Sequence, residues 1–141
     1  MEKQLIHTDK APQAIGPYAQ AVLASGKTLY ISGQIPIDPA TGQIVPGGVS
    51  EQAAQCMKNV QAILSEASAT FDNVVKTTVF IKSMDDFGQI NEVYGQYITG
   101  NYPARACVEV ARLPKDCLLY TSGLQQRQAL QPRGQEELQG S

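Results

Sequence analysis

Arg105 is the residue whose surroundings best suit the binding of an anion. It lies in residues 102–114, where small residues and valines alternate between two prolines, a pattern typical of a strand entered and left through turns. Side chains two residues apart share a strand face, so Arg105 shares its face with Cys107, while Val108 and Val110 are predicted to face the core. A guanidinium at the mouth of a strand can bind both oxygens of a carboxylate. The alternative is a surface arginine paired with a neighbouring acid.

Tyr18 and Gly33 also occupy informative positions. Tyr18 directly follows the stiff pair Gly16-Pro17, which favours a fixed ring in a binding loop over a core ring with a satisfied hydroxyl. Gly33 interrupts a predicted strand, and a glycine there indicates a bulge or a close approach by another group.

Other reactive side chains have plainer interpretations. Cys107 has no histidine near it in sequence to act as its base, and a free cysteine is commonly a small buried residue. His7 in an amino-terminal strand is interpreted as packed or solvated rather than catalytic. Glu109 is predicted to form a structural pair with Arg112 or Lys76.

Composition bounds the class of protein. The 141 residues are 43% hydrophobic and 17% charged, which suits one globular domain with its own core. The net charge of -2 and the lack of a basic cluster argue against nucleic-acid binding. No signal peptide or membrane-length apolar run is evident. The chain has three cysteines without metal-type spacing, which favours a reduced, cytoplasmic setting.

The elements that must position these residues follow from periodicity. Apolar residues at steps of three or four predict a helix of about five turns after an N-cap at Ser50. A second helix is predicted from Asp85 or Asp86 to Gly100. The predicted strands cover residues 3–8, 19–24 and 28–34 (the last two as a hairpin), 74–82, 102–114 and 117–121.

This order of elements predicts an α+β fold, with both helices on one face of a mixed sheet. The other face needs a cover, because large exposed apolar patches are unusual on monomers. The domain is predicted to span residues 1–122. Residues 123–141 are rich in glutamine and are predicted to form a disordered tail.

Four stretches together resemble the RidA family, also called the YjgF family. The longest is Tyr-Pro-Ala-Arg-Ala-Cys-Val-Glu-Val-Ala-Arg-Leu-Pro-Lys at 102–115, and the others lie at 11–18, 31–35 and 73–80. They occur in family order, so the resemblance covers about residues 3 to 116. It implies a chorismate-mutase-like fold, assembled as a homotrimer with clefts between subunits.

The resemblance also implies an activity, the hydrolysis of 2-imino acids and their enamine tautomers to 2-oxo acids and ammonia. By this correspondence Arg105 binds the substrate carboxylate and Tyr18 closes the pocket. Gly33 and Cys107 hold the substrate through backbone groups, and Asn91 lies near the cleft. The chemistry needs orientation and a placed water, and neither a metal nor a cofactor is expected.

Tyr120 marks a departure from the family. Family members usually carry a glutamate there that positions the attacking water, and a phenol is a weak base at neutral pH. We therefore expect slower hydrolysis, with the tyrosine hydroxyl orienting the water. The same change leaves open a protein that binds 2-oxo or amino acids with little turnover. Nuclease activity or translation inhibition is disfavoured by the net charge, and chorismate mutase chemistry would share only the fold.

Overall fold

The computed structural model describes residues 3–126, and it describes side chains as far as residue 123. These residues form eight strands and two α-helices, together with three single turns of 3-10 helix. The strands are β1 (Lys3–Ile6), β2 (Ala21–Ala24), β3 (Thr28–Gln34), β4 (Ile37–Asp38), β5 (Gln43–Ile44), β6 (Val74–Ile81), β7 (Ala104–Glu109) and β8 (Leu119–Gln126). The helices are α1 (Val49–Glu66) and α2 (Phe87–Tyr97).

A four-stranded mixed sheet, in the order β3-β8-β6-β7, is the centre of the fold. β8 is antiparallel to both of its neighbours, whereas β6 and β7 are parallel. The link between the parallel strands contains α2, as a parallel crossover requires. Buried side chains from α1, α2 and one face of the sheet form a shared core, which confirms the predicted α+β arrangement with both helices on one face.

The ends of the helices differ slightly from the predicted ones. α1 is capped at Gly48 rather than Ser50, and the Glu51 carboxylate accepts a hydrogen bond from the Gly48 N–H at 2.8 Å. Glu51 reaches back in this way because the first backbone donors of a helix lack internal partners. α2 follows a 3-10 turn that is capped by Ser83; its N-cap is Asp86, which confirms one of the two predicted caps, and it ends at Tyr97, before the predicted end at Gly100.

The predicted hairpin between residues 19–24 and 28–34 is wrong. β2 pairs with β1, and β3 pairs with β8. The pairing with β8 brings Ile31 into the core beside the helices, so long-range burial outweighs the local turn signal.

The prediction that the valine face of β7 is buried is also wrong. Val108 remains 43% exposed, whereas Cys107 packs against the core. Arg105 pairs in register with Thr77, whose hydroxyl is bonded to α2, so the Arg105 face is the one that the helices cover. Alternation shows which residues share a face, but it does not show which face the helices occupy.

β8 runs through the predicted domain boundary at residue 122. Residues up to Gln126 pair with β3, so Gly123–Gln126 are not part of a disordered tail. The remainder of the predicted tail, 127–141, lies outside the described residues. Within residues 3–126, the helices are too short or too polar to cross a membrane.

Candidate functional site

Arg105 lies half-buried in a ring of polar and aromatic groups. Its Nη1 donates a hydrogen bond to Asn91 Oδ1 at 2.5 Å. Its Cζ lies 5.0 Å from the ring centroid of Tyr18, 5.5 Å from that of Phe87 and 5.2 Å from that of Tyr94. These are cation–π distances, so the guanidinium is held at one edge by an amide oxygen and is flanked by three π faces.

Among the described side chains, no acid forms an ion pair with Arg105. Two ion pairs occur among the described side chains, and neither includes Arg105. Glu109 instead accepts a hydrogen bond from the Met84 N–H at 3.0 Å, and Arg112 pairs with Asp116. Among the described residues, the alternative in which Arg105 pairs with a neighbouring acid is therefore wrong, as is the predicted pairing of Glu109 with Arg112 or Lys76. The guanidinium keeps donors for an external anion.

The loop before β2 fixes Tyr18 beside Arg105. The Tyr18 N–H donates to the Gly16 carbonyl at 2.8 Å, and the Tyr18 hydroxyl accepts from the Ile15 N–H at 3.2 Å. The next residue, Ala19, donates its N–H to the Pro103 carbonyl at 2.8 Å. This last bond ties the loop to the start of β7, so the tyrosine and the arginine are positioned together.

Gly16 leaves room for the guanidinium. A Cβ at this position would lie 3.1 Å from Arg105 Nη2 and 3.5 Å from Asn91 Nδ2. The absence of a side chain therefore allows the loop to approach both polar groups closely.

Two residues of the site, both on α2, are not among the candidates that the sequence predicts. Phe87 and Tyr94 contact the guanidinium, and they share a helix face with Asn91 because the three follow the spacing i, i+4, i+7. That spacing relative to Asn91 was the available signal. Apolar periodicity alone did not separate a ring that fills the core from one that also contacts a cation.

Cys107 is half-buried on the same face as Arg105, two residues along β7. Burial raises the pKa of its thiol, and the nearby Arg105 charge opposes that shift without cancelling it. The thiol form is therefore favoured at neutral pH, which argues against a nucleophilic role.

Gly33 and Tyr120 lie apart from this cluster. Tyr120 stacks on Phe80, with ring centroids 4.8 Å apart and planes inclined by 15°. Phe80 is the register partner of both Tyr120 and Val108, so these side chains occupy the sheet face that the helices leave uncovered. Gly33 lies against the Tyr120 ring, in an irregular part of β3.

One chain thus separates the six predicted site residues into two groups. Arg105, Tyr18, Asn91 and Cys107 belong to the helix-covered side of the sheet, and Gly33 and Tyr120 belong to the other side. The bulge or close approach predicted for Gly33 is confirmed in both respects. The catalytic and binding roles of the six residues stay predictions.

The remaining titratable groups do not extend the site. His7 is exposed, and its ring contacts Gln13 at 2.7 Å and Asp9 at 3.9 Å. Among the described residues, no three His, Cys, Asp or Glu side chains are grouped so that they could hold a metal ion.

Comparison with known proteins decides the family. A family model described as Endoribonuclease L-PSP matches residues 8–120, which include every residue of both groups. The chain belongs to the RidA family. The match reaches Tyr120, four residues beyond the limit inferred from the motifs.

RidA relatives of known name and structure are similar over most of this chain. The rat 2-iminobutanoate/2-iminopropanoate deaminase is 55% identical over 113 residues, which are 80% of this chain and 82% of the rat protein. RidA from an Antarctic Psychrobacter is 41% identical with a TM-score of 0.69, and the match covers 87% of this chain and 98% of that one. E. coli TdcF with bound serine is 42% identical with a TM-score of 0.68, covering 92% and 99%.

Proposed function

We propose that this RidA-family protein hydrolyses small 2-imino acids and their enamine tautomers, such as 2-iminobutanoate and 2-aminoacrylate, to 2-oxo acids and ammonia. The observation that carries the proposal is the half-buried Arg105 guanidinium, which is oriented by Asn91 and three rings and lacks an acidic partner among the described side chains. The deaminase names of relatives at about 55% identity support the same reaction.

The reaction asks little of the protein beyond orientation. Arg105 binds the carboxylate, which fixes C2 and its C=N bond relative to Tyr18 and Asn91. Water adds to C2 of the protonated imine and releases a proton, forming a tetrahedral carbinolamine. The carbinolamine expels ammonia as the C2–N bond breaks, and the C=O bond of the 2-oxo acid forms. The substrate nitrogen is the leaving group, so the step is a hydrolysis without change of oxidation state.

The complete site requires a neighbouring subunit. Gly33 and Tyr120 lie on the uncovered sheet face, away from Arg105 of the same chain. In the proposed homotrimer, that face packs against another copy, and Gly33 and Tyr120 of one subunit complete the pocket around Arg105 of the next. The Tyr120 hydroxyl then orients the attacking water where other family members carry a glutamate.

The second candidate is a protein that binds 2-oxo or amino acids with little turnover. Tyr120 favours this candidate, because it stands where other family members carry a glutamate and it supplies no carboxylate to activate water. Its ring is also held against Phe80. TdcF, whose structure contains bound serine, shows that a relative of this fold holds an amino acid.

Ammonia release from freshly generated 2-aminoacrylate, together with calorimetric binding of 2-oxobutanoate, separates the two candidates. Arg105→Ala should lower kcat/KM about 30-fold or more, since removing one partner of a desolvated charge pair costs ~2 kcal/mol or more. Arg112→Ala is the matched control, because Arg112 is exposed and paired with Asp116. Tyr120→Glu should accelerate the reaction.

Each outcome has a distinct meaning. Ammonia release that needs Arg105 supports the deaminase. Binding of 2-oxobutanoate that needs Arg105, with release no faster than in buffer, supports the binding protein. Release that is unchanged in Arg105→Ala would refute the proposed site.

A further inference from the structure

Three residues on three different elements contact one another in turn: Thr77 on β6, Tyr94 on α2 and Arg105 on β7. Thr77 of β6 and Arg105 of β7 are register partners in neighbouring strands. The Thr77 Oγ1 and the Tyr94 hydroxyl are hydrogen-bonded at 2.5 Å, and both side chains are buried. The Tyr94 ring returns to the guanidinium, with its centroid 5.2 Å from Arg105 Cζ.

We infer that Tyr94, anchored by Thr77, is a positioning residue that sets the plane of the Arg105 guanidinium. This inference rests on the proposed function, in which Arg105 binds the substrate carboxylate. It assigns to the pair Thr77–Tyr94 a function that neither the core position of Tyr94 nor its apolar spacing indicates.

Two residues of α2 contact the Arg105 guanidinium in different ways, which supports this role. Asn91 holds one edge of the guanidinium through its Oδ1, whereas Tyr94, one turn later, presents its ring to the guanidinium carbon. An edge contact alone leaves rotation about that bond free, and the surrounding rings of Tyr18, Phe87 and Tyr94 limit it. Of these three rings, Tyr94 is the one whose hydroxyl is bonded to β6, so it ties the guanidinium to the sheet and restrains the remaining donors before substrate arrives.

The hydroxyl of Tyr94 suits an anchor better than a catalyst. Burial raises the pKa of Tyr94 to about 12, although the hydrogen bond to Thr77 and the Arg105 charge oppose that shift. The hydroxyl therefore stays protonated at neutral pH and keeps its bond to Thr77. The bond joins α2 to β6 directly beside the strand that carries Arg105.

The test compares Tyr94→Leu, Tyr94→Phe and Thr77→Val with Tyr97→Leu. Tyr97 lies on the same helix and contacts Phe71, with ring centroids 6.0 Å apart, so its loss perturbs the core without removing a described contact to Arg105. Tyr94→Leu should weaken 2-oxobutanoate binding about tenfold, as expected for a desolvated cation–π contact. Tyr94→Phe keeps the ring and should bind within about threefold of wild type, and Tyr97→Leu should be close to wild type.

Nitrogen-15 relaxation of the Arg105 Nε–H measures how far the guanidinium is restrained when no ligand is bound. The signal is assigned by its absence from the spectrum of Arg105→Lys. We expect a lower order parameter in Tyr94→Leu than in wild type or Tyr97→Leu, at a temperature where all remain folded. Thr77→Val should have an intermediate value, because the ring remains but its anchor is lost. Equal order parameters in wild type and Tyr94→Leu would overturn the inference.

The two proposals fail in different ways. Wild-type protein that neither binds 2-oxobutanoate nor releases ammonia refutes the proposed function, while the relaxation data still judge the role of Tyr94. Wild-type binding and turnover that Tyr94→Leu leaves unchanged refute the positioning role alone.

Discussion

Gly33 and Tyr120 are packed so closely that a methyl group on Gly33 would lie 2.1 Å from Tyr120 Cε2. The ring is also stacked on Phe80, so it cannot move aside without leaving that contact. Gly33→Ala should therefore lower the free energy of unfolding by about 1–3 kcal/mol, as overpacking does. Urea denaturation measures the change.

The same substitution in a Tyr120→Ala background is the control. With the ring removed, Gly33→Ala should cost under about 0.5 kcal/mol, so the double-mutant cycle should show strong coupling. Gly88→Ala, where a Cβ meets nothing within 4 Å, should not destabilise the protein. An equal cost of Gly33→Ala in both backgrounds would show that the steric contact is not the cause.

Gly16→Ala should weaken anion binding by about three- to tenfold while leaving the fold intact. The added Cβ would lie 3.1 Å from Arg105 Nη2, so the guanidinium must shift by a few tenths of an ångström, and a displaced charge-assisted bond loses ~1 kcal/mol. Calorimetry with 2-oxobutanoate checks the affinity. Gly95→Ala, on α2 with open space around its Cβ, should bind like wild type, and equal affinities in both variants would contradict the expected displacement.

Cys107 should be slow to alkylate at neutral pH. Burial raises the pKa of its thiol, so the reactive thiolate is a smaller fraction at pH 8 than in free cysteine. Peptide-resolved mass spectrometry after iodoacetamide treatment should show a pH midpoint above that of free cysteine. Because the Arg105 charge lowers the pKa, Arg105→Met should move the midpoint to higher pH. A midpoint below that of free cysteine would mean that the arginine outweighs burial.

Lys3 should stabilise the fold by joining three separate carbonyl groups. Its Nζ donates to Asp72, Val74 and Asn101 at 3.0, 2.7 and 2.5 Å. Lys3→Met should therefore lower the free energy of unfolding at pH 7 by about 1–3 kcal/mol, since it removes three hydrogen bonds from a charged donor, one of them part-buried. Lys10→Met, at an exposed position, is the matched control and should change little.

The pH dependence of the Lys3 contribution has a definite sign. Burial lowers the pKa of Lys3 to about 8 from 10.5, so between these values the unfolded chain binds more protons than the folded one. The stability of wild type relative to Lys3→Met should then rise with pH across that interval. A difference that falls over the same interval would mean that the carbonyl groups raise the pKa of the ammonium instead.

Local sequence patterns predicted individual strands and helices well where the spacing of apolar residues fits only one type of element. The predicted strand 74–82 is β6, in which Thr77, Val79 and Ile81 alternate on the buried face, and the predicted apolar stripe of α1 is the core stripe. The motif around Arg105 also identified a residue that the structure surrounds with Tyr18 and Asn91.

Local sequence patterns did not predict which distant strands pair or which face of the sheet the helices cover. The pairing of β3 with β8 and the coverage of the Arg105 face depend on which distant element packs there, and nothing in the local spacing encodes it. The separation of Tyr120 from Arg105 follows from the same packing. Strand register puts Arg105 on the face of Thr77, which the helices cover, and Tyr120 on the face of Phe80, which they do not.

The uncovered face supplies the last prediction, which concerns assembly. Val108 is 43% exposed beside Phe80 and Tyr120, an apolar face that the proposed homotrimer buries. Val108→Lys would place one charge per subunit at that contact, where desolvation without a partner is costly. Multi-angle light scattering should find a trimer for wild type and a monomer for Val108→Lys, with loss of ammonia release in the monomer. Met84→Lys, at a side chain of 44% exposure in the 3-10 turn before α2 rather than on a strand of the sheet, should stay trimeric and active. A monomeric wild type that turns over 2-aminoacrylate would mean that one chain holds the whole site.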